Sequence, residues 1–158
     1  MNDLSERLKQ WHQEEEHQNI IDCLEERSKT QGLDYTLTCL LARAYNNLAQ
    51  NGDEERLGRA IELLLSVEEQ GRDDPLWHYR LGYAYFYLDQ EEKALPCFER
   101  AAQLDPEDED APIFIQQCKE YIAAKECQPK MYAQEDWDAV EAHMERYFGH
   151  CDNVFHEI

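Results

Sequence analysis

The strongest structural signal in the chain lies in residues 75–108, which read PLWHYRLGYAYFYLDQEEKALPCFERAAQLDPED. Small residues, Gly82 and Ala94, stand where two helices can cross closely, and larger apolar residues surround them at helical spacing. Between the two halves, residues 89–92 (DQEE) form a polar turn, and Pro106 ends the second half. The stretch therefore predicts a helix–turn–helix unit.

This unit resembles a tetratricopeptide repeat (TPR), a helix–turn–helix motif with a period of about 34 residues. With Pro75 counted as position 1, the family's characteristic residues are matched at positions 7, 8, 11, 20, 24, 27 and 32, by Leu81, Gly82, Tyr85, Ala94, Phe98, Ala101 and Pro106. The large residue expected at position 4 is His78, with Trp77 displaced by one. The resemblance implies a scaffold that holds other proteins and is not an enzyme.

One helix pair cannot bury its own apolar face, so neighbouring repeats are expected. Upstream, Leu41, Ala42 and Tyr45 fit a repeat over residues 35–74, provided that six extra residues are accommodated near residues 51–53. We therefore predict an all-α fold, a TPR-like right-handed solenoid of antiparallel helix pairs with C-terminal capping helices and no sheet in residues 1–127. The predicted domains are a 1–127 TPR solenoid (degenerate repeat 1–34, repeat with insertion 35–74, best repeat 75–108, extra helix 110–127) and a C-terminal helix and tail at 128–158.

Charge limits the classes of partner. Thirty-five acidic residues against fifteen basic ones give a net charge of −20, which argues against binding to nucleic acid or to an anionic membrane. The same charge permits a basic protein partner, although acidic faces also serve simply to keep a protein in solution. No apolar run approaches the ~18 residues of a membrane span, and the N-terminus lacks the pattern of a secretory signal.

The six cysteines contain no CxxC pair, and most stand at helical positions beside apolar neighbours. We therefore expect free thiols rather than a disulfide framework. Free thiols indicate a reducing compartment, and the predicted location is the cytoplasm.

The resemblance also implies a binding surface, because repeat positions 2, 5, 9, 12 and 13 of a TPR point to its concave face. The predicted partner-binding residues are Leu76, Tyr79, Tyr83, Phe86 and Tyr87, with Arg80 beside them and Arg43, Asn46 and Asn47 from the preceding repeat. Aromatic rings with a few hydrogen-bonding groups suit the binding of a peptide. In the alternative interpretation, later helices of the chain cover these aromatics.

The TPR domains that bind acidic chaperone tails use a carboxylate clamp of basic and asparagine residues. At the corresponding positions this chain has Ser5, Lys9, Leu40, Leu76 and Arg80, and only Arg80 matches. A chaperone co-factor of that type is therefore not expected.

Residues 132–158 resemble the opening of bacterial domains similar to suppressor of fused, through the stretches WDAVEAH, YFG and NVFHEI. The resemblance implies that the natural product continues past Ile158. In that case an alternative function is an immunity-type or regulatory inhibitor that binds a basic partner. Self-association through exposed aromatics is a further alternative, and a simple C-terminal helix that packs on the last repeat is an alternative to the resemblance itself.

We find no pattern that predicts catalysis or a cofactor, such as a P-loop, GxSxG or HExxH. His150, Cys151 and His156 are the nearest approach to a metal cluster, and they lack the spacing of a tetrahedral site. The sequence therefore favours a non-catalytic, protein-binding adaptor.

Overall fold

The computed structural model describes residues 2–127, and its regular structure there is entirely helical. The helices are α1 (Asn2–Gln13), α2 (His17–Thr30), α3 (Tyr35–Leu48), α4 (Glu54–Ser66), α5 (Glu68–Gly71), α6 (Pro75–Tyr87), α7 (Glu91–Leu104) and α8 (Asp110–Glu126). The all-α prediction is confirmed for this part of the chain, which contains no strand. The suppressor-of-fused-like stretch and the candidate ligands His150, Cys151 and His156 lie outside the described residues.

Three helices begin at an aspartate that caps them. Asp34 accepts a hydrogen bond from the backbone N–H of Leu37 at 2.8 Å, and Asp53 accepts one from Arg56 at 3.1 Å. At the start of α6, Asp74 caps the helix and Pro75 occupies its first turn. Each cap satisfies a backbone N–H that has no partner within its own helix, so the sequence fixes where these helices start.

Helices that follow one another along the chain pack together, and α6 also contacts α3 and α4. One core cluster includes Leu8, Leu24, Leu41, Leu64 and Leu81, and so extends from α1 to α6. A second cluster joins α7 to α8 through Phe98 and Cys118. The apolar faces that each helix pair leaves open are therefore covered by the next helices.

Gly82 lies where α6 crosses α7. A Cβ added to Gly82 would come within 3.1 Å of the Phe98 ring, which is fully buried. Ala94 on α7 is fully buried as well. The small residues predicted at the crossing are thus required by the closeness of the two helices.

The α3–α4 pair differs from the α6–α7 pair in two places. Residues 49–53 connect α3 to α4, whereas only residues 88–90 connect α6 to α7, and the one-turn helix α5 follows α4. The longer loop contacts α6, because the N–H of Gly52 donates to the carbonyl of Tyr87 at 2.8 Å. Residues 35–74, the predicted repeat with an insertion, therefore contain a longer connecting loop and an additional short helix.

Trp77 anchors the short helix α5. Its ring is buried against Gly71 of α5, and its Nε1–H donates to the carbonyl of Leu64 at 2.8 Å. The sequence showed Trp77 only as a displaced repeat residue. Its displacement brings the indole beside α5, where the Leu64 carbonyl accepts from it in addition to the backbone N–H of Val67 at 3.2 Å.

Among the cysteines of residues 2–127, Cys23, Cys39, Cys97 and Cys118 carry free thiols. Cys127, which follows α8, is disulfide-bonded, so the expectation of a free thiol is wrong at this position. The sequence could not show this, because the connectivity of disulfides cannot be deduced from cysteine spacing alone.

We predict that Gly71→Ala destabilises the protein, because its Cβ would overlap the Trp77 ring, which is held by its own hydrogen bond. The expected loss is about 1–3 kcal/mol in the free energy of unfolding, measured by urea denaturation. Gly58→Ala is the matched control, since a Cβ at Gly58 in α4 meets nothing within 4 Å. That substitution should be neutral or stabilising by up to about 1 kcal/mol. Equal stabilities for the two variants would contradict the packing described for Trp77.

Candidate functional site

A cavity of about 240 Å³, called here the central cavity, lies among α1, α3 and α6. Its lining residues come from the first helix of each of the three predicted repeats: His12, Arg43, Asn46, Asn47, Leu76, Tyr79, Arg80 and Tyr83. Leu76 is 54% exposed and Asn47 is also exposed, so the cavity opens to solvent at these two side chains.

The structure brings together most of the residues predicted to bind a partner. All the predicted residues of α3, and Leu76, Tyr79, Arg80 and Tyr83 of α6, line the central cavity. Phe86 and Tyr87 do not line it, and their rings instead lie beside α8. His12 was missed because it is far from the other lining residues in sequence and stands in an acidic helix that suggested a solvated face.

Asn46 connects α3 to α6. It is only 3% exposed, and its Nδ2 donates to the backbone carbonyl of Arg80 at 3.1 Å. Its Oδ1 is buried without a hydrogen-bond partner. Asn46 therefore holds the two helices together and leaves one acceptor at the cavity unsatisfied.

The cavity is electropositive, although the chain as a whole is strongly acidic. Burial lowers the pKa of Arg43, and the positive charge of Arg80 lowers it further. The pKa of His12 is lowered by burial and then by Arg43, His17 and Arg80. Arg43 Nε and His12 Nδ1 are buried without hydrogen-bond partners. The two guanidinium groups thus repel each other, and Arg43 Nε lies buried without an acceptor.

Phe114 of α8 lies at the centre of the neighbouring aromatic side chains. It stacks on Phe98 at 4.6 Å between ring centroids, with an interplanar angle of 7°. It also makes edge contacts with the predicted groove aromatics, at 5.8 Å from Tyr79, 6.0 Å from Tyr83, 5.2 Å from Phe86 and 6.4 Å from Tyr87. The alternative interpretation, in which later helices cover these aromatics, therefore holds in part. Helix α8 covers one side of the four rings, and all four side chains remain half-buried.

Two contacts fix α8 in this position. Lys125 Nζ lies 2.6 Å from Glu91 Oε2, and it donates to the carbonyl of Asp89 at 3.1 Å. Glu91 is only 3% exposed, so the ammonium compensates a carboxylate that is removed from water. The same hydrogen bond raises the pKa of Lys125.

The tyrosine hydroxyls and cysteine thiols near the aromatic side chains have ionisation states that suit binding. Burial, followed by the charges of Asp110 and Asp108, raises the pKa of Tyr79 to about 12, and burial raises that of Tyr83. Burial also raises the pKa of Cys97 and of Cys118 to about 11. Both phenols and both thiols are therefore protonated at neutral pH and are poor nucleophiles. Within residues 2–127, no three His, Cys, Asp or Glu side chains are grouped as metal ligands.

Among the helices of residues 2–127, none has the length and apolar composition needed to cross a membrane.

We predict that Phe114→Ala lowers the free energy of unfolding by about 2–3 kcal/mol, because the ring contacts aromatics on both α6 and α7. The loss should be smaller than for a fully buried ring, since Phe114 is half-buried. Chemical denaturation followed by near-UV circular dichroism measures both the stability and the order of the tyrosines. Ile113→Ala, at a 56% exposed neighbour on α8, should change stability by less than about 0.5 kcal/mol. If the two variants behave alike, α8 does not cover the aromatics as described.

The family model for the tetratricopeptide repeat matches residues 75–108. This match, together with the helix–turn–helix of α6 and α7, confirms the prediction of a tetratricopeptide repeat in this stretch. Neither a curated protein nor a solved structure matches the chain. Tetratricopeptide repeats mediate contacts between proteins, so the match supports an interaction role.

Proposed function

We propose that this chain is a non-catalytic adaptor that binds a peptide segment of a partner protein at the central cavity. The observation that carries the proposal is the meeting of α1, α3 and α6 around this cavity. The cavity is lined by residues of two predicted repeats that were expected to contact a partner. A repeat scaffold that presents the first helix of each pair to one surface is suited to an extended ligand.

The size and lining of the central cavity favour a peptide over a cofactor. Sites for small molecules usually enclose about 300–1,000 Å³, whereas this cavity has about 240 Å³. That volume accommodates one or two side chains of a segment whose backbone lies outside. Leu76 and the half-buried ring of Tyr83 offer apolar contact, while Asn47 and Arg80 offer hydrogen-bond donors.

The proposed architecture is a right-handed solenoid of antiparallel helix pairs, with repeats at 1–34, 35–74 and 75–108. Helix pairs α1–α2, α3–α4 and α6–α7 correspond to these three repeats. In this proposal α8, within the predicted extra helix at 110–127, is the terminal helix that covers the open apolar face of the last repeat. The contacts of Phe114 and Lys125 support that role.

The test is a selection of random linear 12-residue peptides on the whole chain, with affinities then measured by fluorescence anisotropy. Leu76→Ser with Asn47→Ala alters the two exposed lining residues without touching the buried core. We expect this double variant to weaken binding about tenfold or more while leaving the thermal stability unchanged.

The matched control is Leu65→Ser, which removes an exposed leucine from α4, away from the central cavity. It should leave the affinity within about twofold of wild type. If the cavity variant binds as tightly as wild type, the proposed site is wrong. A different result would favour the inhibitor alternative, in which a basic partner binds the acidic faces. In that case the cavity variant would bind as wild type does, and binding would be lost at high salt.

A further inference from the structure

Two arginines in the central cavity have no anionic partner within residues 2–127. Arg56, Arg59 and Arg100 pair with carboxylates, whereas Arg7, Arg27 and Arg72 resemble the cavity arginines in forming no ion pair among the described residues. What distinguishes Arg43 and Arg80 is their placement, because they line one cavity from two helices that contact each other. Two guanidinium groups gathered in one cavity of a chain with 35 acidic and 15 basic residues suit an anionic ligand.

The arrangement is unfavourable while the cavity is empty. Arg43 and Arg80 come from facing helices, and each lies within the repulsive field of the other. Arg43 Nε is buried and has no acceptor, although a guanidinium carries five N–H donors. Like charges that are partly removed from water repel more strongly than charges at an open surface. A ligand that supplies oxygen acceptors and negative charge would satisfy both groups.

No carboxylate of the described chain fills this role. Asp74, two residues before Leu76, is engaged elsewhere: its two oxygens accept hydrogen bonds from the Tyr35 hydroxyl at 2.6 Å and from the backbone N–H of Leu76 at 3.0 Å. Glu15 lies beside His12 and Asn47 in the adjoining cavity and forms no ion pair with either arginine. Among the described residues, no carboxylate oxygen lies within 4 Å of a nitrogen of Arg43 or Arg80.

We infer that Arg43 and Arg80 together bind the side-chain carboxylate of an aspartate or glutamate in the partner peptide. The inference rests on the proposed function and names the chemistry of the residue that enters the central cavity. A carboxylate has two oxygens, each able to accept from a guanidinium, and the exposed amide of Asn47 is a further donor at the mouth. Leu76 and Tyr83 beside the arginines favour an apolar residue next to the acid in the peptide.

This site is different from the carboxylate clamp that the sequence lacks. Of its members, Arg80 and Leu76 stand at clamp positions, and only Arg80 has a side chain that suits the clamp. Arg43, Asn46, Asn47 and His12 have no counterpart there. The grouping is visible only in the structure, because its residues come from three helices.

The experiment measures a selected, fluorescein-labelled 12-residue peptide against the whole chain and against Arg43→Gln and Arg80→Gln. Each variant removes one positive charge and keeps a polar side chain of similar length. Arg72→Gln is the matched control, because it removes the same charge at an exposed position outside the central cavity. The second half of the test repeats the measurements with a peptide whose aspartate or glutamate is changed to asparagine or glutamine.

We expect the selected peptides to share an acidic residue at one position. Arg43→Gln and Arg80→Gln should each weaken binding by about tenfold or more, as should the amide peptide. Combining either variant with the amide peptide should cost little more than one change alone, because both remove the same interaction. Arg72→Gln should stay within about twofold of wild type, and thermal melts should show that every variant is folded.

Three results would overturn the inference: selected peptides with no shared acid, arginine variants that weaken the acidic and amide peptides equally, or a phosphoserine peptide that binds more tightly than its glutamate counterpart. In each case the proposed function still stands if Leu76→Ser with Asn47→Ala abolishes binding. It fails together with the inference if the peptides bind all cavity variants as they bind wild type.

Discussion

Helix α6 is apolar around nearly its whole circumference, so the rest of the fold must cover it on every side. Trp77 and Leu81 are buried in the cluster that extends from α1 to α6, and Gly82 lies against Phe98 of α7. The rings on its remaining side meet Phe114 of α8. Leu76, which is 54% exposed, and the half-buried Tyr79, Arg80 and Tyr83 line the central cavity. The candidate site therefore uses a side of α6 that the chain's own helices cover only in part.

Much of the fold could be predicted because the repeat positions carry local physical requirements. Gly82, Ala94 and Phe98 are needed wherever two helices cross this closely, and all three are buried. The role of Trp77 could not be predicted, because it depends on where the inserted turn comes to lie. The contact of Phe114 with the groove aromatics was equally hidden, since it joins residues of α6 and α8 through tertiary packing.

The candidate site was only partly predictable for a related reason. The repeat pattern assigned residues of α3 and α6 to one face, and those that line the cavity do lie together. The repeat pattern could not show that His12 of α1 also lines the cavity, or that Phe86 and Tyr87 lie outside it. The net charge of the chain could not reveal the sign of the charge in the cavity. A net charge of −20 suggested a basic partner, whereas Arg43 and Arg80 make the cavity positive. Local charge depends on which groups are paired, and pairing is a property of the fold.

The contact that joins α3 to α6 also positions the charges of the cavity. Asn46 Nδ2 is bonded to the backbone carbonyl of Arg80, and Arg43 stands one turn earlier on the same helix. The backbones that carry both arginines are therefore held at a fixed separation by a buried hydrogen bond. A ligand that enters between them does not have to bring the two helices together, so little of its binding energy is spent on ordering the protein. An anion bound between them would relieve the repulsion between the two guanidinium groups, and for this reason the inferred ligand is acidic.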